Sequence, residues 1–436
     1  MKAAVLLAPL LGGWLAVKLW QPGEGRRALP EPLSLSVGAL AGLGASSLLC
    51  WLWLRVFGAY NHGLAALEAA ILAGLIYAAW RRRADWQWWV KGNGGLFAWA
   101  AVAPPLALVL AVFALQTGIE PHGGWDAWSI WNLRARFLYC GGERWIDGLS
   151  GEIRWSHTDY PMLLPCLVAR CWLMTGDHGQ WAPAAAHLIF TVALVITLFS
   201  GLLELRGPAT AVLAVFALAG GVSLGRYGAS QYADVPLAAY MITALVLLSL
   251  DGGSPSLAGA AAGLAAWTKN EGVLFLASAA AVVWLVEGRK RLPAYFTAAG
   301  PLIMAIAMHK LGTGLPGDFM GAKPTVWERL TTTGRYWTIL KAMAAQWWRP
   351  AEPWTSPAAF LGLLIAARGL GKASASSPAT RIAGFVFLAM TVLYGMAFVM
   401  STRNLPLHLL GAADRLFVQL WPLAVLAAAL ATKRPE

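Results

Sequence analysis

The sequence predicts an all-α fold, a polytopic bundle of about 13 transmembrane helices with interfacial helices in its outer loops. Three observations lead to this prediction. Charged residues make up only 12% of the chain, against about 25% in an ordinary soluble domain, and the hydrophobic set reaches 58%. Apolar runs near the length of about 20 residues that crosses a bilayer recur along the whole chain. The polar segments between them are short, which leaves no room for a large soluble domain.

The positive net charge is distributed over several loops. The chain has 33 Lys and Arg against 21 Asp and Glu, a formal charge of +12. In a soluble protein this excess would suggest nucleic acid as a partner. Here the basic residues gather in short loops, as the positive-inside rule expects of cytoplasmic loops, so we predict no nucleic-acid partner. The clusters are Arg26–Arg27, Arg81–Arg83 with Lys91, Arg206, Arg289–Arg291, Arg368–Arg381 and Lys433–Arg434.

Counting apolar runs between these clusters predicts the path of the chain. The predicted spans lie at about 3–20, 34–57, 62–80, 96–116, 182–204, 208–226, 235–250, 256–268, 272–288, 293–311, 355–368, 381–400 and 416–432. This path puts the N-terminus outside and the C-terminus inside. The stretch 161–175 contains Arg170 and two prolines and is short for a span, so we expect it to be interfacial or re-entrant. Asp126 and Asp234 then lie on the same outer face.

The segment Pro121–Arg136, which follows the fourth predicted span, carries the first candidate site residue. It sets the carboxylate of Asp126 between Trp125 and Trp128. Tryptophan is enriched at the boundary between water and lipid, whereas a carboxylate beside hydrocarbon is costly and is usually functional. A helix over this segment would place Asp126 and Arg136 on one side and Trp128 on the other, which predicts an interfacial helix. A connector anchored only by its tryptophans is the alternative.

Two later segments add acids to the predicted outer face. His157, Asp159 and Tyr160 precede the stretch that we expect not to cross. The first two could equally be turn and cap residues. Asp234 begins a span at its outer end, where an aspartate often only caps the helix. Its position on the same predicted face as Asp126 favours a functional role.

Basic residues also occur on this face. Lys269 stands near Glu271 in a hairpin otherwise made of Ala, Gly and Leu, where it could hold a phosphate or form a local neutral pair. His408 and Arg415 lie near the C-terminus. The long outer segment 311–354 contributes Lys323, Arg335, Lys341, Arg349 and the pair Trp347–Trp348, which we interpret as an interface anchor.

In their order, these motifs resemble those of the integral-membrane glycosyltransferases of the GT-C superfamily. The resemblance is greatest to members related to protein O-mannosyltransferases and to the aminoarabinose transferase of lipid A. The matching motifs are Gly124-Trp-Asp126-Ala-Trp128, Asp159-Tyr160-Pro161-Met-Leu-Leu-Pro165, Asp234-Val-Pro236-Leu237 and Thr268-Lys269-Asn-Glu-Gly272. They imply a GT-C-like catalytic transmembrane module over residues 96–311. Residues 1–95 would be additional N-terminal transmembrane helices, and 312–436 would be the outer interfacial segment with the C-terminal transmembrane helices.

The resemblance implies an enzyme that moves a sugar from a polyprenyl-phosphate donor to a glycan, lipid or protein acceptor, with inversion. Asp126 would be the catalytic base, and Asp159 and Asp234 would also be catalytic. Lys269, Arg415 and Arg136 would bind the donor phosphate. The expected substrate-binding residues are Trp125, Trp128, His157, Tyr160, Glu271 and His408. The chain would be a multi-pass protein of a bacterial inner membrane, in contact with lipids, with its active site on the periplasmic side.

No metal or other cofactor is expected. The outer loops contain no D-x-D pair, and the four cysteines show no Cys or His spacing typical of a ligand set. Two other classes of function are weighed against the enzyme. A transporter or flippase of a lipid-linked anion would need ionisable residues deep within several spans, and here they cluster at ends and in loops. A structural membrane protein would leave the outer acids unexplained.

Overall fold

The structure is a computed structural model that describes residues 2–20, 28–82, 95–251, 253–313, 325–348 and 356–434. Within these ranges the chain is helical and has no strand, only an isolated bridge between Leu370 and Thr432. The all-α prediction is confirmed for this part of the chain. Several predicted basic positions lie outside the described residues: Arg26, Arg27, Arg83, Lys91, Lys323 and Arg349.

The helices are numbered in chain order. The first nine are α1 Leu7–Trp20, α2 Glu31–Phe57, α3 Gly63–Arg81, α4 Leu96–Ile119, α5 Asn132–Cys140, α6 Leu163–Thr175, α7 Trp181–Ala219, α8 Ser223–Ala229 and α9 Asp234–Ser249. The others are α10 Pro255–Thr268, α11 Asn270–Glu287, α12 Leu292–Thr313, α13 Val326–Thr331, α14 Thr333–Trp348, α15 Pro357–Arg368, α16 Lys372–Ala375, α17 Pro378–Met400 and α18 Leu405–Ala431. A π turn, Ala127–Trp131, precedes α5, and 3-10 turns occur at Lys2–Leu6, Gly142–Leu149, Gly151–Ser156 and Arg289–Arg291.

The described residues contain nine helices that are long and apolar enough to cross a membrane, or up to ten if the bent pair α8 and α9 is one span. Their length and composition are those of a multi-pass membrane protein. The predicted number of about 13 includes α9, α10 and α15, whose 16, 14 and 12 residues are fewer than the usual 20 or so. The higher number stays a prediction.

Helix α7 contains a reversal of the chain. As one straight helix its 39 residues would measure about 58 Å, nearly twice the hydrocarbon thickness of about 30 Å. Gly207 interrupts it with a φ of 77°, a left-handed conformation that glycine adopts without strain, and Pro208 follows. Contacts of both arms show the change of direction: His187 in the first arm bonds the Tyr232 carbonyl at one end of the bundle, Arg206 beside the break bonds the Leu430 carbonyl at the other, and Tyr227 just after α7 is back near the first end, where it donates to Asp414. The two arms agree with the predicted runs 182–204 and 208–226.

The bundle carries different charges at its two ends. Helix α9 is buried along its whole length. Leu248, near its end, lies about 21 Å from Asp234 along the helix axis. The carbonyl of Leu248 accepts a 3.0 Å hydrogen bond from Arg291. Asp251, three residues after Leu248, has a Coulombic interaction with Arg206. We call this the basic end and the opposite one, with Asp234, the acidic end; the separation agrees with the predicted path.

Helix α6 occupies the stretch that was expected not to cross, and it is almost entirely buried. It begins next to Tyr160, and the hydroxyl of Ser47 donates to the Leu163 carbonyl at 2.8 Å. Beyond its other end, the side chain of Gln180 contacts His122, four residues before Asp126. Both ends of α6 therefore lie near the acidic end, as expected of a segment that does not cross the bundle.

Helix α14 forms most of the described part of the predicted outer segment. Arg335, near its start, donates to the carbonyls of Phe398 and Ser401 at the end of α17. Trp347, near its other end, packs edge-on against Phe387 and Phe417, which lie within α17 and α18. Trp347 therefore packs between helices, whereas Trp348 is 73% exposed, and the interpretation of the pair as an interface anchor stays a prediction. A pair of tryptophans in sequence does not distinguish a lipid-facing ring from one that faces another helix.

Candidate functional site

Five charged side chains from four separate segments form one ion-pair network at the acidic end. The guanidinium of Arg415 in α18 lies 2.7 Å from the Asp126 carboxylate and 3.0 Å from that of Asp234. The ammonium of Lys269 lies 3.1 Å from Asp234 and 2.8 Å from Glu271. We call these five residues the Asp234 network. All five were candidate site residues on sequence grounds, and the structure brings them together.

Local backbone geometry explains how these side chains meet. Helices α8 and α9 are bent by 116° at a short break, and Asp234 is the first residue of α9, where a negative charge is favoured. Tyr232 lies in that break, with its ring 4.4 Å from the Arg415 guanidinium, a cation–π contact. Lys269 is extended, with φ of −158° and ψ of 157°, and separates α10 from α11. Its side chain can therefore leave the hairpin towards Asp234.

Burial within the network is uneven. The side chain of Asp234 has no exposed surface, whereas that of Asp126 is 18% exposed and that of Arg415 15%. Asp234 also accepts a hydrogen bond from the Gln419 amide. A carboxylate so far from water requires such pairing, because an isolated buried charge is very unfavourable. Asp126 is thus the aspartate of the network that solvent or a substrate can reach.

Lys269 remains cationic at neutral pH. Burial lowers the pKa of Lys269, but the carboxylates of Asp234 and Glu271 outweigh that effect and leave the pKa above the ordinary lysine value of 10.5. The network holds three carboxylates and two cations. Each cation is shared, Arg415 between Asp126 and Asp234 and Lys269 between Asp234 and Glu271.

Asp159 lies beside the network but pairs with a different cation. Its carboxylate accepts hydrogen bonds from Lys310 at 3.1 Å and from the Asn270 amide at 2.8 Å. Lys310 also donates to the Asn270 side-chain oxygen at 2.7 Å. Asn270 follows Lys269 directly, so the hairpin connects the two groups. Lys310 and Asn270 were not candidates; the position of Lys310 at the outer end of a predicted span was the signal that could have found it.

His157 and Tyr160 form an aromatic stack next to Asp159. Their rings stack at 4.8 Å, and Tyr160 stacks in turn on Trp131 at 5.6 Å. The Tyr160 carbonyl accepts hydrogen bonds from Arg134 and from His309. Arg134 is completely buried, and burial lowers its pKa to about 10. His157 also contacts Arg403 at 3.0 Å. Arg134 and Arg403 are thus the basic residues at this point, and the sequence did not single out either of them.

Arg136 does not join the network within the described part of the chain. It is exposed, and its guanidinium lies 5.5 Å from the centre of the Trp172 ring. The π turn at Ala127–Trp131 widens the helix before α5 and changes the angle between Asp126 and Arg136 from that of a regular α-helix. The prediction that Asp126 and Arg136 lie on one side of a regular helix is therefore corrected.

The remaining predicted substrate residues lie around the network. Trp125 and Trp128 contact each other edge-on at 4.4 Å and are 65% and 47% exposed. The ring of His408 contacts the Ser401 hydroxyl at 2.7 Å and lies two turns of α18, about 10 Å, from Arg415. The two indoles are accessible at the edge of the site, whereas His408 is more distant.

No group of three or more His, Cys, Asp or Glu side chains in the described part of the chain has the arrangement of a metal site. The expectation that no metal is needed stays a prediction. No protein-family model, curated protein or solved structure matches the chain. The resemblance to the GT-C superfamily therefore depends on the four short motifs alone.

Proposed function

We propose that this protein is a GT-C-type glycosyltransferase of a bacterial inner membrane. It would transfer a sugar from a polyprenyl-phosphate donor to a glycan, lipid or protein acceptor on the periplasmic side, with inversion. One observation supports this proposal above all. Residues from three of the four resembling motifs, Asp126, Asp234 and Lys269, belong to a single ion-pair network at one end of an apolar helix bundle.

In this proposal the two aspartates have different tasks, and their burial is the reason. Asp126 is partly exposed, so it can reach an acceptor hydroxyl and remove its proton as the acceptor oxygen attacks the anomeric carbon. Asp234 is fully buried and holds Arg415, Lys269 and Gln419. It is a positioning residue, because its contacts orient the cations rather than a substrate.

Lys269 and Arg415 would stabilise the departing polyprenyl phosphate. An arginine can bind two phosphate oxygens at once, and a lysine adds a compact charge. Both cations are shared with carboxylates, so the phosphate would take the place of Glu271 at Lys269 or of Asp126 at Arg415. Displacement of Asp126 from Arg415 would also free that carboxylate to act as the base.

The proposal is tested by comparing envelope glycans and glycolipids, by mass, in cells that carry the gene, lack it, or carry a variant. Asp126→Asn is expected to lower transfer at least about a hundredfold, since general-base catalysis contributes about 10² to 10⁴. Asp147→Asn is the matched control, because Asp147 is an exposed acid that pairs with Arg144. Thermal unfolding in detergent shows whether both variants are folded. Wild-type turnover by Asp126→Asn would remove the assignment of the base.

The alternative, a transporter or flippase of a lipid-linked anion, is distinguished with the purified protein in vesicles. If the labelled lipid crosses the bilayer and no sugar is transferred when an acceptor fraction is supplied, the enzyme proposal fails. If the sugar moves to an acceptor and the lipid does not cross, transport is excluded. The network at one end of the bundle agrees better with chemistry at one surface than with a path through the membrane.

A further inference from the structure

A long apolar groove lies on one side of the bundle, between α14, α17 and α18. Its volume is about 520 Å³, within the roughly 300–1,000 Å³ of typical ligand sites. Its lining is almost entirely apolar and includes Leu340, Met343, Val392 and Phe417. Leu340 is 58% exposed and Val392 is 56% exposed, so the groove is open along its side. We call it the α14 groove.

The α14 groove has the length of one leaflet of a bilayer. On α14 its lining runs from Tyr336 to Trp347, about 16 Å along the helix axis. The hydrocarbon core of a bilayer is about 30 Å thick, so one leaflet spans about 15 Å. Helix α14 starts at the acidic end, because Arg335 bonds the carbonyls at the end of α17, whereas Trp347 packs against Phe387 within α17. A lipid chain that starts at the acidic end therefore matches the groove in direction and in length.

Gly395 of α17 contributes open space to the groove. It lines the groove, and an added Cβ there would meet only the Met343 sulfur, at 3.7 Å. This is an ordinary van der Waals distance, so the close packing of α14 on α17 does not require a glycine at this position. The glycine therefore adds volume to the groove and does not serve to bring two helices together.

Three arginines lie where the groove reaches the acidic end. Arg335 bonds the Ser401 carbonyl, and the backbone N–H of Arg403 donates to the Ser401 hydroxyl, which places Arg403 beside Arg335. Arg329 in α13 has a Coulombic interaction with Arg335. Among the described residues Arg335 donates to carbonyls and Arg403 contacts the His157 ring, so neither is paired with a carboxylate.

This positive charge is an observation independent of the apolar lining. In the proposed orientation, the positive-inside rule accounts for the arginines of the basic end and not for these. Glu328, the acid next to Arg329 in sequence, bonds Thr325 in a capping box at the start of α13. Guanidinium groups form their strongest hydrogen bonds with anions, and basic residues near a membrane surface attract anionic lipids. The charge and the apolar groove therefore indicate the same class of ligand.

We propose that the α14 groove binds one anionic phospholipid of the leaflet at the acidic end. One acyl chain would lie along the groove, against Met343 and Phe417. The phosphate would lie at the end of the groove near Arg335 and Arg403, which can donate to its oxygens. The match of groove length to leaflet thickness fixes the headgroup at the same depth as these arginines.

The groove is separate from the Asp234 network. Arg415 and Gln419 extend from α18 to Asp234. Leu416 and Leu420, each one residue further along α18, line the groove. Successive residues of an α-helix are about 100° apart around the axis, so the two sites occupy different sides of α18. A lipid in the groove would leave every ion pair of the network in place, and its binding requires no sugar transfer.

The proposal is tested by native mass spectrometry of the purified full-length protein, titrated with lipid in detergent. The probes are phosphatidylglycerol, which is anionic, and phosphatidylethanolamine with the same acyl chains, which is zwitterionic. One phosphatidylglycerol per chain is expected to bind at least about tenfold more tightly than phosphatidylethanolamine, as for the gain of a charged hydrogen bond. Arg335→Gln and Arg403→Gln are each expected to reduce this preference. Arg144→Gln is their matched control, since Arg144 is an exposed arginine paired with Asp147, and it should bind as the wild type does.

The groove itself is tested by filling it. Gly395→Leu is expected to weaken phosphatidylglycerol binding at least about tenfold, because the new side chain would occupy the path of the acyl chain. Gly384→Leu in the same helix is the control, since a Cβ there meets nothing within 4 Å and Gly384 does not line the groove. Ala344→Leu narrows the groove from α14 and gives a second variant on the opposite wall. Thermal unfolding in detergent shows which variants are folded.

Each outcome bears on one part of the proposal. Undiminished binding by both Gly395→Leu and Ala344→Leu would show that the lipid does not lie in the groove. Equal affinity of the wild type for the two lipids, or an unchanged preference in both arginine variants, would overturn the assignment of an anionic headgroup. Normal binding of phosphatidylglycerol by Asp126→Asn separates this result from failure of the transferase.

Discussion

Asp234 shows at the scale of single residues how this protein tolerates charge inside an apolar bundle. Its carboxylate accepts from Arg415, Lys269 and Gln419 and has no exposed surface. Taking such ions out of water costs several kcal/mol each, and only close pairing offsets that cost. The arrangement does not by itself make the fold more stable than an apolar core would. Its retention at one end of the bundle is better explained by function.

We expect Asp234→Asn to lower the free energy of unfolding by about 3–5 kcal/mol, because it leaves Lys269 and Arg415 with one carboxylate fewer. Unfolding in detergent measures this change. Asp147→Asn, in the exposed pair with Arg144, should change it by less than about 1 kcal/mol. Equal effects of the two substitutions would contradict the view that Asp234 holds the network together.

The pH dependence of the same network follows from Lys269. Its pKa lies above the ordinary value of 10.5, so its protonated form is favoured by folding. The stability that it contributes is complete below pH 10.5 and declines only as the pH rises through the raised pKa. Lys269 is consequently a fixed positive charge in the neutral range, as a phosphate-binding role requires.

At the scale of elements, the α10–α11 hairpin determines where Lys269 lies. The two helices cross closely at Gly272, where an added Cβ would lie only 1.9 Å from the Ala265 carbonyl oxygen. That oxygen belongs to the backbone and cannot move without shifting α10. The close approach of the two helices beside the network therefore explains why the Thr268–Gly272 motif ends in glycine.

We expect Gly272→Ala to lower the free energy of unfolding by about 1–3 kcal/mol, the usual effect of overpacking, and to reduce activity by displacing Lys269. Gly300→Ala in α12 is the control, since a Cβ there would meet nothing within 4 Å. Thermal unfolding and the glycan mass comparison measure the two effects. A stable, fully active Gly272→Ala variant would show that the hairpin geometry does not control the site.

At the scale of the whole molecule, the two ends of the bundle carry different groups of charged residues. The Asp234 network lies at one end, and Arg206 and Arg291 make their contacts at the other. This distribution agrees with the positive-inside rule if the basic end faces the cytoplasm. The Asp234 network would then face outward, where lipid-linked donors and envelope acceptors can meet.

The orientation is tested with cysteine labelling in a Cys140→Ser background, because Cys50, Cys166 and Cys171 are buried and Cys140 is exposed. A membrane-impermeant maleimide should label Glu120→Cys in intact cells, whose outer membrane has been made permeable. It should label Lys290→Cys only after the inner membrane is opened. Both positions are exposed in the structure, so burial does not prevent either from reacting. The reverse pattern would place the network in the cytoplasm and contradict the proposed orientation.

The sequence by itself determined the helical class, the succession of apolar helices and all five members of the network as candidates. These follow from local properties: the length of apolar runs, the bias of basic loops and the cost of a carboxylate beside hydrocarbon. On those grounds Asp126, Asp234, Lys269 and Arg415 could be selected before any contact was known. The same local reasoning predicted that α6 does not cross, and the short length of α6 agrees with that prediction.

Only the tertiary structure decided which charges meet. Arg415 and Asp234 are 181 residues apart, and Lys310 and Asp159 are 151 apart, so no local pattern pairs them. A π turn moved Arg136 away from its expected place, because one widened turn rotates every later side chain about the helix axis. The cavity between Arg55, Trp145 and His309 has the same origin. Its walls come from three distant segments, and a cavity exists only once packing has left the space between them.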